Sequence, residues 1–114
     1  MVIVTEEALS LDRAWNHVVR EDCGAVCLFA GTVRNHHDGK KVVSLKYTSF
    51  DDMARKEIET VLKEASEKWP LGETFVAHRV GELTPTDVSV LVAVPSAHRK
   101  EAFAAGRYVI DGLK

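Results

Sequence analysis

Two clusters of cations and a terminal lysine are the residues whose types and spacing could do chemistry in this chain. The first cluster is Arg34, His36, His37, Lys40 and Lys41, the second is His98, Arg99 and Lys100, and Lys114 stands at the chain end. The second is the most informative, because Ser96 is a natural N-cap and predicts a helix starting near it. A helix N-terminus carries partial positive charge and normally favours acids, so His-Arg-Lys in a first turn is locally unfavourable. An anion docked at that turn removes the conflict, and helix N-termini bind phosphate well. Arg34 directly follows an apolar run, where a side chain can emerge at a sheet end, and its planar fork suits bidentate phosphate contact. The same cations also read as solvated surface side chains, and a terminal lysine is most often plain surface. Arg99 and Lys114 would stand ~22 Å apart along one straight helix. They share a site only if the chain bends or if a dimer partner contributes one of them.

Other chemistries find less support. His36 and His37 together with Cys23 and Cys27 match no zinc-ligand spacing, so no metal site is expected. No Ser-His-Asp set, phosphate-binding Gly-rich loop or dinucleotide fingerprint occurs. His78 and Arg79 fall within a strand-like run and read as structural or interfacial rather than catalytic. Cys23 and Cys27, if both lie on one strand, face the same side ~13 Å apart. A disulfide needs Cα atoms within ~7 Å, so free thiols in a reducing cytosol are expected.

The elements that must position these residues come from one domain. The chain has 114 residues, 46% of them hydrophobic and 28% charged, which is a soluble globular composition. A chain of this size buries roughly two-thirds of its unfolded surface. No apolar run approaches the ~20 residues of a membrane span, and the N-terminus has no basic region followed by an apolar stretch. A cytoplasmic protein is therefore expected. The formal net charge of -2 argues against nucleic-acid binding through bulk charge.

Val2 to Val4 reads as a short strand. A helix is predicted over about 10–20, capped by Ser10, with Leu11, Ala14, Trp15, Val18 and Val19 recurring at helical spacing. Gly24 to Val33 reads as a buried strand. Residues 34–41 are polar with an Asp-Gly turn signal, and Val43, Leu45 and Tyr47 alternate with polar residues, predicting a hairpin with a long basic loop. Residues 51–69 predict the strongest helix, with Asp51 as cap and Ala54, Ile58, Val61, Leu62, Ala65 and Trp69 as its apolar stripe, stopped by Pro70 and Gly72. Strands are predicted at about 74–80 and 88–95, around a turn at Pro85. Val88, Val90, Val92 and Val94 alternate strictly in the second. In the last helix Phe103, Gly106, Ile110 and Leu113 would face the core. The order, (β)αββαββα, is an α+β pattern with helices on a mostly antiparallel sheet. Read from the residues alone, this is a small α+β domain with an anion-binding basic site.

Several separated motifs extend that reading. They are Gly24-Ala25, Phe29-x-Gly31-x-Val33-Arg34-Asn35, Met53-Ala54, Glu64-Ala65, Trp69, His78-Arg79-x-Gly81-Glu82-Leu83, Ser96-Ala97-His98-Arg99, Ala102-Phe103 and Asp111-x-Leu113-Lys114. In this order, from about Gly24 to Lys114, they resemble the large, catalytic subunit family of molybdopterin synthase. The resemblance implies an α/β-hammerhead with a small additional antiparallel β subdomain. It implies a homodimer within a heterotetramer, with a small ubiquitin-like subunit at each end whose C-terminal Gly-Gly thiocarboxylate threads into the large subunit. The implied reaction is a sulfurtransferase step. Two sulfurs pass to cyclic pyranopterin monophosphate to make molybdopterin in molybdenum cofactor biosynthesis, with no metal or other cofactor needed. It further implies that Thr32, Val33, Arg34, His98 and Arg99 line the substrate pocket. Arg34 and Arg99 would hold the phosphate, and His98 would be a hydrogen-bond partner or proton carrier. Lys114 would be the catalytic lysine, as a neutral general base favoured by neighbouring cations or as a charged anchor for the tail and its oxyanion. Two departures stand out. The family usually continues beyond this lysine with a Pro-x-Trp-Lys-x-Glu segment carrying a second active-site lysine, whereas the sequence here ends at Lys114. The family usually also has an acidic residue where Thr48 and Ser49 stand. Competing readings are a non-catalytic paralogue that still dimerises and binds the small subunit, and a module for simple phosphorylated ligands that needs no protein partner.

Overall fold

The computed structural model describes residues 1–37, 40–41, 45–47 and 52–113, and of residues 36–37, 40–41 and 45–47 it describes the backbone. The elements, in chain order, are β1 (Val2–Thr5), α1 (Leu11–Val18), β2 (Ala25–Thr32), β3 (His36–His37), β4 (Lys40–Lys41), β5 (Leu45–Tyr47), α2 (Asp52–Lys68), β6 (Phe75–Arg79), β7 (Gly81–Leu83), β8 (Val88–Ser96) and α3 (Arg99–Gly112). The main sheet has strand order β1-β6-β8-β2, and β3-β4 and β5-β7 form two small antiparallel pairs. β1 runs parallel to β6, whereas β6-β8 and β8-β2 are antiparallel. This is the expected α+β architecture, a small open sheet carrying helices and accessory antiparallel pairs.

β8 is the spine. It is apolar on both faces because helices cover both. Val92 and Val94 pack with Val76, Ile58, Leu62, Ala65, Ala105 and Val109 from the α2 and α3 side. Leu91 and Ala93 pack with Phe75, Ala77, Ala14 and Val18 on the α1 side. Each fully buried Val or Leu contributes about 1.5–3 kcal/mol relative to exposure. Val90, Val92 and Val94 therefore mark one face of a strand buried on two, whereas Val88, across a register shift, packs with the α1 side.

α1 begins where Ser10 caps it, the Ser10 hydroxyl accepting from the Arg13 N–H at 3.1 Å. Of its predicted stripe only Ala14 and Val18 are buried, while Leu11, Trp15 and Val19 remain exposed. The stripe of α2 packs as expected, with Ile58, Leu62 and Ala65 buried, and the helix ends at Lys68, ahead of Pro70. Asp51, its expected cap, lies outside the described residues, as does Val43. Both cysteines are free; Cys23 precedes β2 and Cys27 lies within it.

Three expectations are corrected. The 24–33 strand forms no hairpin with the strand that follows it: β2 pairs with β8, and β5 pairs with β7. A strand buried on both faces offered β2 a larger apolar surface than the polar alternation of 43–48 could. The last helix starts at Arg99 with His98 as N-cap, not at Ser96, which is the final residue of β8. Ser96 is 1% exposed and its hydroxyl donates to Pro70 O at 2.7 Å, tying the strand end to the turn after α2. Finally, Phe103 points outward at 67% exposure, and Ala102, Ala105, Gly106 and Val109 form the buried stripe of α3. Small residues lie there because the helix sits tightly on β2: a Cβ at Gly106 would meet Cys27 Sγ at 2.5 Å.

This packing predicts unequal costs of truncation. Leu91→Ala should lose about 2–5 kcal/mol of unfolding free energy. Phe103→Ala should change it by less than about 0.5 kcal/mol. Urea unfolding curves of the two variants measure both values.

Candidate functional site

The β2–β8 register fixes where the candidate residues stand. Ala25 is opposite Ser96 and Thr32 is opposite Val88. Thr32 and Arg34 are thus at one end of the strand pair, with His98 and Arg99 just past the other. Residues 25 to 32 alone span about 24 Å at ~3.4 Å per residue. α3 then runs back along the sheet for 14 residues, about 21 Å, touching both β2 and β8. One chain therefore brings the end of α3 to the Arg34 end and leaves His98 and Arg99 far from it.

A cavity of about 660 Å³ opens at the Arg34 end, between the sheet, α2 and the last turn of α3. Phe29, Ile58, Val92 and Ile110 give it apolar walls. Glu57, His78 and Ser89 are its side-chain polar groups, with Gly31, Gly112 and Leu113 also on its lining. The two glycines are there by necessity. A Cβ at Gly31 would lie 2.7 Å from Val90 Cγ1, and one at Gly112 would lie 2.8 Å from Val61 Cγ1. Lys114, the residue after Leu113, lies outside the described residues.

Thr32 is exposed at the end of β2, beyond a register shift between Gly31 and Thr32. Val33 is 5% exposed, and both of its backbone polar groups are engaged. Its N–H donates to Asp87 O at 3.0 Å and its carbonyl accepts from Thr86 N–H at 2.8 Å. Val33 thus clamps the chain to the 84–87 turn, and Arg34 projects from that fixed point, exposed. The turn is strained, since Thr86 adopts φ 76°, where a β-branched side chain crowds the backbone. Asp87 holds the turn together. Its carboxylate accepts from Thr84 N–H at 2.9 Å and from the Thr84 hydroxyl at 3.2 Å, with Arg79 Nη1 at 3.8 Å. The Thr84 N–H, foremost among these, holds the Asp87 carboxyl below the usual carboxylate range.

At the other end, His98 caps α3 through its backbone, its carbonyl accepting from Ala102 N–H at 3.2 Å. Its side chain makes no capping bond, and His98, Arg99 and Lys100 are all exposed. Glu101 supplies an acid in the first turn, and one of its carboxylate oxygens is buried with no hydrogen-bond partner. Among the described residues, no group of His, Cys, Asp and Glu could hold a metal ion. The cavity was not foreseen from the sequence. Its one readable signal was Gly31 inside a strand, which often marks close approach of another group.

Two outcomes test this turn. Thr86→Asn, which tolerates positive φ, should raise stability by about 0.5–1 kcal/mol in thermal or urea unfolding. Because the Asp87 carboxyl is depressed in the fold, its stabilisation is complete above the ordinary aspartate range and is lost as pH falls through the lower, folded value. Asp87→Asn should therefore flatten the acid side of a stability-versus-pH curve; an unchanged acid limb would contradict the role given to Asp87.

The family model for the MoaE protein matches residues 4–114. A curated "Molybdopterin synthase catalytic subunit" from Bos taurus is 44% identical over 110 residues, covering 96% of this chain and 58% of that protein. The protein of that name from Escherichia coli (strain K12) is 45% identical over 95 residues, covering 83% and 63%. The crystal structure of molybdopterin synthase from Staphylococcus aureus superposes with a TM-score of 0.91 at 35% identity, covering 97% of this chain and 81% of that one. The chain thus spans less than two-thirds of the length of these curated relatives. Sequence and fold agree along nearly all of it, and the chain belongs to the MoaE protein family.

Proposed function

We propose that this chain is the catalytic subunit of a molybdopterin synthase, transferring two sulfurs from a thiocarboxylated small subunit to cyclic pyranopterin monophosphate. The observation that carries the reading is the cavity. It is lined by Gly31, three residues before Arg34, and by Leu113, the covalent neighbour of Lys114. A mostly apolar pocket suits a small-residue tail. The relatives' shared name, a catalytic subunit, also supports an assembly with another chain. Lys114 acts on the thiocarboxylate and the reacting pterin carbon, as base or as anchor. A cytoplasmic location fits, and no helix among the described residues is long and apolar enough to cross a membrane.

The phosphate site needs a second copy. Arg34 and the His98–Arg99 pair stand at opposite ends of one strand pair, too far apart to hold one phosphate. A two-fold-related copy presents its own ends in reverse order. β2 is the edge strand of the main sheet, so its outer edge has no partner among the described strands. Antiparallel pairing of β2 with its symmetry mate sets the Arg34 end of one copy beside the His98–Arg99 end of the other. Arg34 and the mate's guanidinium then clamp the phosphate, with the mate's imidazole as hydrogen-bond partner or proton carrier.

The direct test is reconstitution with a thiocarboxylated small subunit and the cyclic pterin, reading dithiolene product by mass; no product would refute the assignment. Lys114→Ala should abolish turnover and leave the unfolding transition intact. Near-normal product from that variant would remove Lys114 from the mechanism. Arg34→Ala and Arg99→Ala chains, each inactive alone, should recover about a quarter of wild-type activity when mixed, because half the dimers then hold one intact site. No recovery would refute the two-copy site.

A further inference from the structure

The cavity holds a titratable group to which the sulfur-transfer reading gives no task. His78, in β6, is half-buried and lines the cavity with Glu57 and Ser89. It lies on one row across the sheet with Val90 and Gly31, since Val90 pairs with both. Two strand spacings set its Cα about 10 Å from that of Gly31. Gly31 carries no side chain, and Val90 Cγ1 lies 2.7 Å from where its Cβ would stand, so Val90 forms the cavity floor between Gly31 and the imidazole. Ser89 donates its hydroxyl to Gly31 O at 3.2 Å, which fixes it on the lining of the same cavity. Burial pulls the His78 ring below the usual histidine range, which favours the neutral, proton-accepting form at neutral pH.

We propose that His78 is the base that activates a water molecule in this cavity to free the transferred sulfur from the carrier's acyl group. The inference rests on the sulfur-transfer reading above. A thiocarboxylate sulfur that bonds to a pterin carbon becomes a bridge between that carbon and the tail's acyl carbon. Releasing it needs an acceptor for the acyl group, and water is the one that leaves a carboxyl group. The water oxygen bonds to the acyl carbon while one of its protons passes to the imidazole. The acyl carbon–sulfur bond then breaks, and its electron pair stays on sulfur. The tail departs as a carboxylic acid and, like the imidazolium, gives its proton to solvent, so nothing is oxidised or reduced. An ordered water needs two to four polar partners, roughly. Within this cavity the side chains able to provide them are Glu57, His78 and Ser89.

From α2, Glu57 lines the cavity, while Arg55 donates to Val2 O at 2.6 Å. β1 and β8 carry no ionisable side chain, and Cys27 of β2 packs against Gly106. α3 contributes Ile110, Gly112 and Leu113 to the lining. Among the described residues that line the cavity, Glu57 is the acidic side chain.

The test is the pH dependence of kcat in the reconstituted enzyme, for wild type, His78→Asn and Glu57→Gln. Wild-type kcat should fall as the solution turns acid and the imidazole takes up a proton. His78→Asn should lower kcat by about 10²-fold or more and lose that acid limb. KM and small-subunit affinity should hold, and a small subunit joined to the pterin through sulfur should accumulate by mass. Glu57→Gln should move the limb to lower pH. A His78→Asn enzyme with an unchanged profile, or a loss confined to KM, overturns the assignment while wild-type turnover upholds the sulfur-transfer reading. A wild type that makes no product overturns both. An NMR titration of the wild-type imidazole needs no variant, and a midpoint that differs from that of the acid limb also overturns the assignment.

Discussion

The antiparallel register of β2 on β8 is the constraint from which the rest follows. β8 is buried on both faces, so a slip of one residue would turn the Val90–Val92–Val94 face and the Leu91–Ala93 face into each other's packing environments. The register is therefore fixed by two cores at once. Fixing it also fixes Arg34 at one end of the pair and His98 at the other. α3 is long enough to carry the chain back along the sheet and so places Leu113 beside Gly31 at the cavity. A site that needs cations from both ends can then be assembled from two copies, but not within one.

Residues chosen for what they lack shape the cavity. Gly31 and Gly112 leave room where a methyl group would meet Val90 and Val61. Gly106 and the alanines of α3 let that helix approach β2 over Cys27. At the mouth, Val33 gives its side chain to the core and both backbone polar groups to the 84–87 turn, so that Arg34 leaves from a rigid base. The turn carries an unfavourable backbone angle at Thr86, which the Asp87 hydrogen bonds offset. Strain of this kind persists only where the surroundings over-determine it, and here they hold a candidate phosphate ligand in place.

Much of this was legible in the sequence, for local reasons. Ser10, the α2 stripe and the Val88–Val94 alternation announce their elements because capping and periodicity act within a few residues. The choice of partner for β2 was not legible, because a buried strand pairs where the larger apolar surface lies, and that surface is some sixty residues away. Ser96 has the right chemistry for a cap and misled for that reason; its hydroxyl serves Pro70 instead. Phe103 was placed inside by its hydrophobicity, but close packing of α3 demanded alanine and glycine on the inner face. Of the candidate site, Arg34, His98 and Arg99 could be named from residue type and position, whereas the distance between them could not. The cavity, made by α2, α3 and three strands, has no sequence signature beyond Gly31.

The central claim is that the site exists only where two copies meet, and the mass of the chain in solution tests it most directly. Sedimentation equilibrium at the concentrations used for turnover should give twice the chain mass of 12.6 kDa. A particle that stays at the mass of a single chain under those conditions, yet remains active with the small subunit, would contradict the account.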